Sequence, residues 1–135
     1  AVLATNTSSL SVGAIAAGLP APERVVGMHF FNPVARMPLV EVVRGPLSDE
    51  RAVRRVVQLS LDLGKTPVLV GDRPGFVVNR LLGPYLDEAL RLFEAGAGAL
   101  ELDRVARNFG LPMGPMALLD EVGLDIAAHT AASLE

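Results

Sequence analysis

Two short apolar runs, Val25-Val26-Gly27-Met28-His29-Phe30-Phe31 and Leu39-Val40-Glu41-Val42-Val43, constrain the fold of this chain more than any other feature. Both are rich in β-branched or aromatic residues and bounded by Gly and Pro, the pattern of short buried strands. Each holds one polar residue that an apolar strand has no packing reason to carry, His29 in the first and Glu41 in the second. If residues 32–38 connect the two as antiparallel neighbours, positions numbered symmetrically about Ala35 face each other. His29 and Glu41 are such a pair. A carboxylate on one imidazole nitrogen fixes the tautomer and leaves the other nitrogen able to take a proton. The pattern therefore points to a general base with its orienting partner. The competing reading is a satisfied core histidine, the commoner fate of a lone His on an apolar strand. Glu41 weighs against it, because a buried carboxylate without a partner is costly.

The 135 residues are long enough to bury a core, and with 50% hydrophobic and 20% charged residues the chain reads as globular rather than disordered. The formal charge is -3 and no Lys/Arg cluster is interleaved with aromatics, so no nucleic-acid partner is expected. The absence of cysteine excludes disulfides and thiolate metal sites, and no metal is expected. No apolar run approaches the ~18 residues of a membrane span, and no basic-then-apolar leader opens the chain, so a soluble, cytoplasmic protein is expected. The opening Ala-Val-Leu-Ala-Thr, strand-like and without methionine, reads as part of a longer polypeptide.

In order, residues 1–4 predict a strand running into the polar cluster Thr5-Asn6-Thr7-Ser8-Ser9. Ser9 or Ser11 is the candidate cap of a helix over Val12–Ala17. Strand, polar turn, helix and strand make the rhythm of a parallel sheet, whose ligands gather at the carboxyl ends of the strands, here near Thr5, Thr7 and Ser8. After the paired strands, Ser48-Asp49-Glu50 opens a helix with Val53, Val56, Val57, Ser60 and Leu63 on one predicted buried stripe. Residues 66–70 predict another strand. Gly71-Asp72-Arg73-Pro74-Gly75 is the strongest breaker and the candidate domain boundary. Beyond it the pattern is helical: residues 76–95 with a kink at Pro84, 101–108, 116–122, and a last helix capped by Asp125.

Taken together, Asn6-Thr7-Ser8-Ser9-Leu10, Gly27-Met28-His29-Phe30-Phe31-Asn32-Pro33-Val34, Leu39-Val40-Glu41-Val42-Val43 and Pro74-Gly75-Phe76-Val77-Val78-Asn79-Arg80-Leu81-Leu82 resemble the NAD-dependent L-3-hydroxyacyl-CoA dehydrogenases. Pro112-Met113-Gly114-Pro115, Leu118-Leu119-Asp120, Val122-Gly123 and Asp125 extend the resemblance over nearly the whole chain. The wording around Phe109-Gly110-Leu111-Pro112 and Leu119-Asp120-Glu121-Val122-Gly123 resembles the multifunctional fatty-acid oxidation proteins, in which the dehydrogenase is fused to an enoyl-CoA hydratase. The resemblance implies an α/β part followed by an all-α part. Residues 1–73 would be the C-terminal part of a Rossmann-like NAD-binding domain, and residues 74–135 belong to a helical dehydrogenase C-terminal domain.

It also implies roles. His29 is the catalytic base and Glu41 its holder. Ser8 lies at the reacting oxygen of the substrate and at the nicotinamide ribose. Asn79 contacts the substrate, and Asn32 lies near the cofactor, NAD. The implied partners are an acyl-CoA substrate and a second copy of the chain or a larger β-oxidation assembly. Against these stand ordinary uses: Asn32 before Pro33 suits any turn, Asn79 suits a cap or a helix contact, and Ser8 suits a cap.

One element of such an enzyme has no counterpart here. No Gly-x-Gly-x-x-Gly turn occurs among the 135 residues, since Gly96 and Gly98 are followed by Glu101. The first strands of the nucleotide domain are thus expected to lie outside this sequence, and the chain alone to bind NAD weakly and to be inactive. An alternative from a different class is a non-catalytic folding or dimerisation module, since a half sheet exposes an edge.

Overall fold

The computed structural model describes residues 1–8 and 10–132. The chain forms two compact units, Ala1–Val77 and Val78–Glu135.

The first unit contains strand β1 (Leu3–Thr5), helix α1 (Val12–Ala17), a single 3-10 turn (Pro22–Arg24), strands β2 (Val25–Phe30) and β3 (Leu39–Arg44), helix α2 (Glu50–Asp62) and strand β4 (Thr66–Gly71). They make one sheet in the order β1-β2-β3-β4. β1 and β2 are parallel, β2 and β3 antiparallel, and β3 and β4 parallel. The reversal at β2–β3 sends the two crossover helices to opposite faces, as two crossovers of one hand require.

Alternation along the strands sorts the core into two layers. Val25 and Val43 pack with Val12 and Ala16 of α1, Val70 and Phe76. Val26, Met28, Val40 and Val42 pack with Ala52, Val53 and Val56 of α2. Because both faces are covered, β2 and β3 are nearly continuous apolar runs rather than alternating ones. His29 and Glu41 share the parity of Val25 and Val43, so they belong to the α1 face.

Gly27 lets α1 come close to that face. A Cβ there would lie 2.6 Å from Val43 Cβ and 3.0 Å from Val12 Cγ2. Gly27→Ala is expected to cost about 1–3 kcal/mol by overpacking. The check is a lower urea midpoint with an unchanged slope.

Several expected boundaries shift. The first strand is Leu3–Thr5 rather than residues 1–4. Asp49 is the N-cap of α2 and accepts from the Ala52 N–H. Val53, Val56 and Ser60 are buried as expected, but Leu63 is 54% exposed. The helix ends at Asp62, and Leu63 is its C-cap ahead of Gly64 at φ 71.

The second unit contains α3 (Val78–Glu94), α4 (Ala99–Phe109), α5 (Pro115–Val122) and α6 (Leu124–Ala132). The helix expected from residue 76 begins at Val78, because Phe76 has φ 46 and its ring is buried in the core of the first unit. Pro84 lies inside α3. Asp125 lies in the first turn of α6 rather than at its cap. A buried carboxylate, Asp103 of α4, accepts from the Met116 N–H at 2.8 Å and from the Ala117 N–H, closing the start of α5. Gly114 must be glycine there, since a Cβ would collide with Asp103. Burial, and then the charge of Asp103, push the pKa of Tyr85 above its ordinary value.

Candidate active site

The strand directions bring three chain segments to one edge of the sheet. β1 and β2 are parallel, so both carboxyl ends lie there, and the antiparallel β3 begins there. His29 near the end of β2 is paired in register with Glu41 near the start of β3. His29 Nδ1 lies 2.8 Å from Glu41 Oε2. Glu41 is 1% exposed and His29 7%. The symmetry about Ala35 therefore held, and the two polar residues are brought together inside the apolar pair of strands.

Glu41 is held from a second side. The Val77 N–H donates to Oε1 at 2.9 Å. With Oε2 on the imidazole and Oε1 on a backbone donor, the carboxylate is fixed in orientation and both of its buried oxygens have partners. With Nδ1 donating to the carboxylate, Nε2 carries the lone pair of the neutral ring. The rings of Phe31 and Phe76 tilt against the imidazole at centroid distances of 4.6 and 5.8 Å. They shield the pair from water, which strengthens its electrostatics.

The polar turn between β1 and α1 lies beside this pair in the fold and is tied down at several points. Asn6 Oδ1 accepts from the Phe30 N–H at 2.9 Å, continuing the link between the parallel strands beyond Thr5. Thr7 Oγ1 accepts from the Leu10 N–H at 2.8 Å. Ser11 is the cap of α1, accepting from the Ala14 N–H; Ser9, the other candidate, lies outside the described residues. Ser8 is exposed within this turn. Asp72, after β4, receives Ser11 Oγ, Val12 N–H and Gly13 N–H.

Asn32 follows β2 and is exposed. The loop it opens is held by Lys65, whose ammonium donates to the carbonyls of Val34 and Met37. Asn79 lies in the first turn of α3, in the second unit, where it is half-buried. Four contributors escaped the sequence reading: Asn6, Asp72, the ring of Phe76 and the N–H of Val77. Asn6 heads a segment already singled out for its hydroxyls. The others lie in or just after the breaker Gly71–Gly75, and their partners are dozens of residues away.

Residues 1–73 match the family described as 3-hydroxyacyl-CoA dehydrogenase, NAD binding domain, and residues 75–135 match 3-hydroxyacyl-CoA dehydrogenase, C-terminal domain. The chain belongs to the 3-hydroxyacyl-CoA dehydrogenase family. The family's cofactor is NAD, and its α/β-then-helical architecture is the one described above. The chain is 52% identical over 131 residues to the fatty acid oxidation complex subunit alpha of Psychrobacter sp. (strain PRwf-1), covering 97% of this chain and 18% of that protein. M. tuberculosis FadB2 superposes with a TM-score of 0.95 at 47% identity, covering 99% of this chain and 48% of that one. The (S)-3-hydroxybutyryl-CoA dehydrogenase PaaH1 from Ralstonia eutropha superposes with a TM-score of 0.93 at 42% identity, covering 98% and 48%. This dehydrogenase-family chain thus spans about a fifth of the length of the curated relatives it matches. No helix among its described residues is long and apolar enough to cross a membrane.

Proposed function

We propose that these residues supply the proton-transfer machinery of an NAD-dependent oxidation of L-3-hydroxyacyl-CoA to 3-ketoacyl-CoA in fatty-acid β-oxidation. The observation that carries this reading is the buried His29–Glu41 bond, with the second carboxylate oxygen fixed by the Val77 N–H. His29 Nε2 accepts the proton of the 3-hydroxyl group. Glu41 stabilises the imidazolium that forms and, being fixed, keeps the ring from turning away. Ser8 donates to the substrate oxygen as it becomes a carbonyl. The substrate contact of Asn79 rests on the family resemblance alone.

NAD, when bound, accepts the hydride from C3. Ser8 and Asn32, polar residues just beyond the carboxyl ends of β1 and β2, suit its nicotinamide end. Nothing in the 135 residues suits its pyrophosphate, because the glycine-rich turn is absent. Residues 1–73 are accordingly assigned to the C-terminal part of the nucleotide domain and 74–135 to the helical domain. Activity is assigned to a polypeptide that joins them to such a turn. The relatives' description as a fatty acid oxidation complex subunit supports a larger assembly, and a cytoplasmic location and a homodimer are part of the same proposal.

The test is NADH formation from L- and D-3-hydroxyacyl-CoA, by the glycine-turn-containing polypeptide and by the isolated chain. Turnover of the L-isomer by the former, with at most a trace by the latter, is expected. No turnover of any 3-hydroxyacyl-CoA by the longer polypeptide would contradict the assignment.

A further inference from the structure

We propose that Asp72 is a positioning residue that sets the place of Ser8 for the reaction. This inference rests on the dehydrogenase reading above. Both oxygens of the Asp72 carboxylate are engaged at the junction between the Ser8 turn and α1. Oδ1 accepts from the Val12 N–H at 2.9 Å, and Oδ2 accepts from Ser11 Oγ and from the Gly13 N–H, both at 2.8 Å. A six-residue helix such as α1 does not hold its own place by propensity. Its start is wedged as well, since a Cβ on Gly13 would lie 2.7 Å from Pro46 Cγ and 3.3 Å from Asp72 Oδ2.

The consequence lies in what the two ends of the turn are tied to. At its first end Asn6 holds the N–H of Phe30, the residue after His29. At its last end Ser11 and the start of α1 are held by Asp72, five residues before the Val77 N–H that clamps Glu41. The Ser8 turn is therefore strung between the strand that carries the base and the loop that fixes the partner of the base. Asp72 is a charged anchor of that turn, and its three donors cannot all be satisfied by an amide of the same size. Ordinary capping of α1 would register as stability alone. Positioning of Ser8 registers as a catalytic effect that exists only while Ser8 has its hydroxyl.

The experiment is a double-mutant cycle on kcat for L-3-hydroxyacyl-CoA in the active polypeptide that carries these residues, using Asp72→Asn, Ser8→Ala and the double variant, with thermal melts. Ser8→Ala is expected to lower kcat by about 10²-fold, the usual loss for one oxygen-stabilising donor. Asp72→Asn is expected to lower it about tenfold with little change in KM for NAD, and the double variant no further than Ser8→Ala alone. Losses that multiply in the double variant would overturn the role of Asp72 while leaving the dehydrogenase reading intact. Absence of turnover in the unsubstituted polypeptide would instead overturn that reading, and this role with it. Should Asp72→Asn fail to fold, Ser11→Ala removes one of the three bonds and takes its place in the cycle. The same non-additivity with Ser8 is then expected, and multiplying losses again overturn the proposal.

Discussion

His29→Gln is expected to lower kcat for L-3-hydroxyacyl-CoA oxidation by about 10²–10⁴-fold, the range for loss of a positioned general base, with the Kd for NAD nearly unchanged. The base acts on the substrate hydroxyl in the transition state, so its removal subtracts from turnover rather than from cofactor binding. Glutamine suits the test because its amide still presents an N–H to Glu41 Oε2. Replacement by an apolar residue would leave a carboxylate that is 1% exposed without its main partner, at a cost of about 3–5 kcal/mol. Steady-state kinetics and thermal melts on parent and variant check the expectation together. A well-folded variant with near-parental turnover would remove His29 from the mechanism.

The second large effect belongs to Glu41→Gln. Oε2 faces the imidazole Nδ1, and Oε1 faces the N–H of Val77. A backbone N–H can only donate, so the single amide oxygen of glutamine is drawn to Val77 and the NH2 group turns to the ring. Nδ1 must then accept, which places the proton of the neutral ring on Nε2. The nitrogen assigned to take the substrate proton is already occupied. The amide also removes the charge that stabilises the imidazolium. Turnover is expected to fall by about 10²–10⁴-fold, the order found where a buried carboxylate behind a catalytic histidine is exchanged for its amide. Stability should change little as far as these two bonds decide it, since the Val77 N–H and the imidazole both keep a partner. Turnover within a few-fold of the parent, measured beside an unaltered melt, would show that Glu41 does not set the tautomer.

The pair at the centre of these predictions was legible because strand geometry is local and periodic. Side chains alternate, a short hairpin connection fixes the pairing, and His29 and Glu41 stand at equal distances from Ala35. The apolar neighbours made both residues conspicuous. Contacts between distant loops left no such trace. The Val77 N–H that fixes Glu41 is a backbone group 36 residues away, and Asp72 reaches Ser11 across 61 residues.

Periodicity also misled where a residue serves a different neighbour from the one its pattern suggests. Phe76 continues the apolar spacing of α3, yet after Gly75 at φ 70 it takes φ 46 and packs under the sheet beside His29. Leu63 continues the stripe of α2, yet the helix has already ended there. The roles of Ser8, Asn32 and Asn79 came from the family resemblance, because a hydroxyl or amide in a turn has many ordinary uses.

That the substrate proton goes to Nε2 of His29 is tested most directly by the ¹⁵N chemical shifts of the His29 ring, measured at a pH where the ring is neutral. The expected spectrum has the proton on Nδ1, bonded to Glu41, and a bare Nε2; Glu41→Gln should reverse the two. A neutral ring protonated on Nε2 in the unsubstituted protein would contradict the assignment, since that nitrogen could not accept a proton from the 3-hydroxyl group.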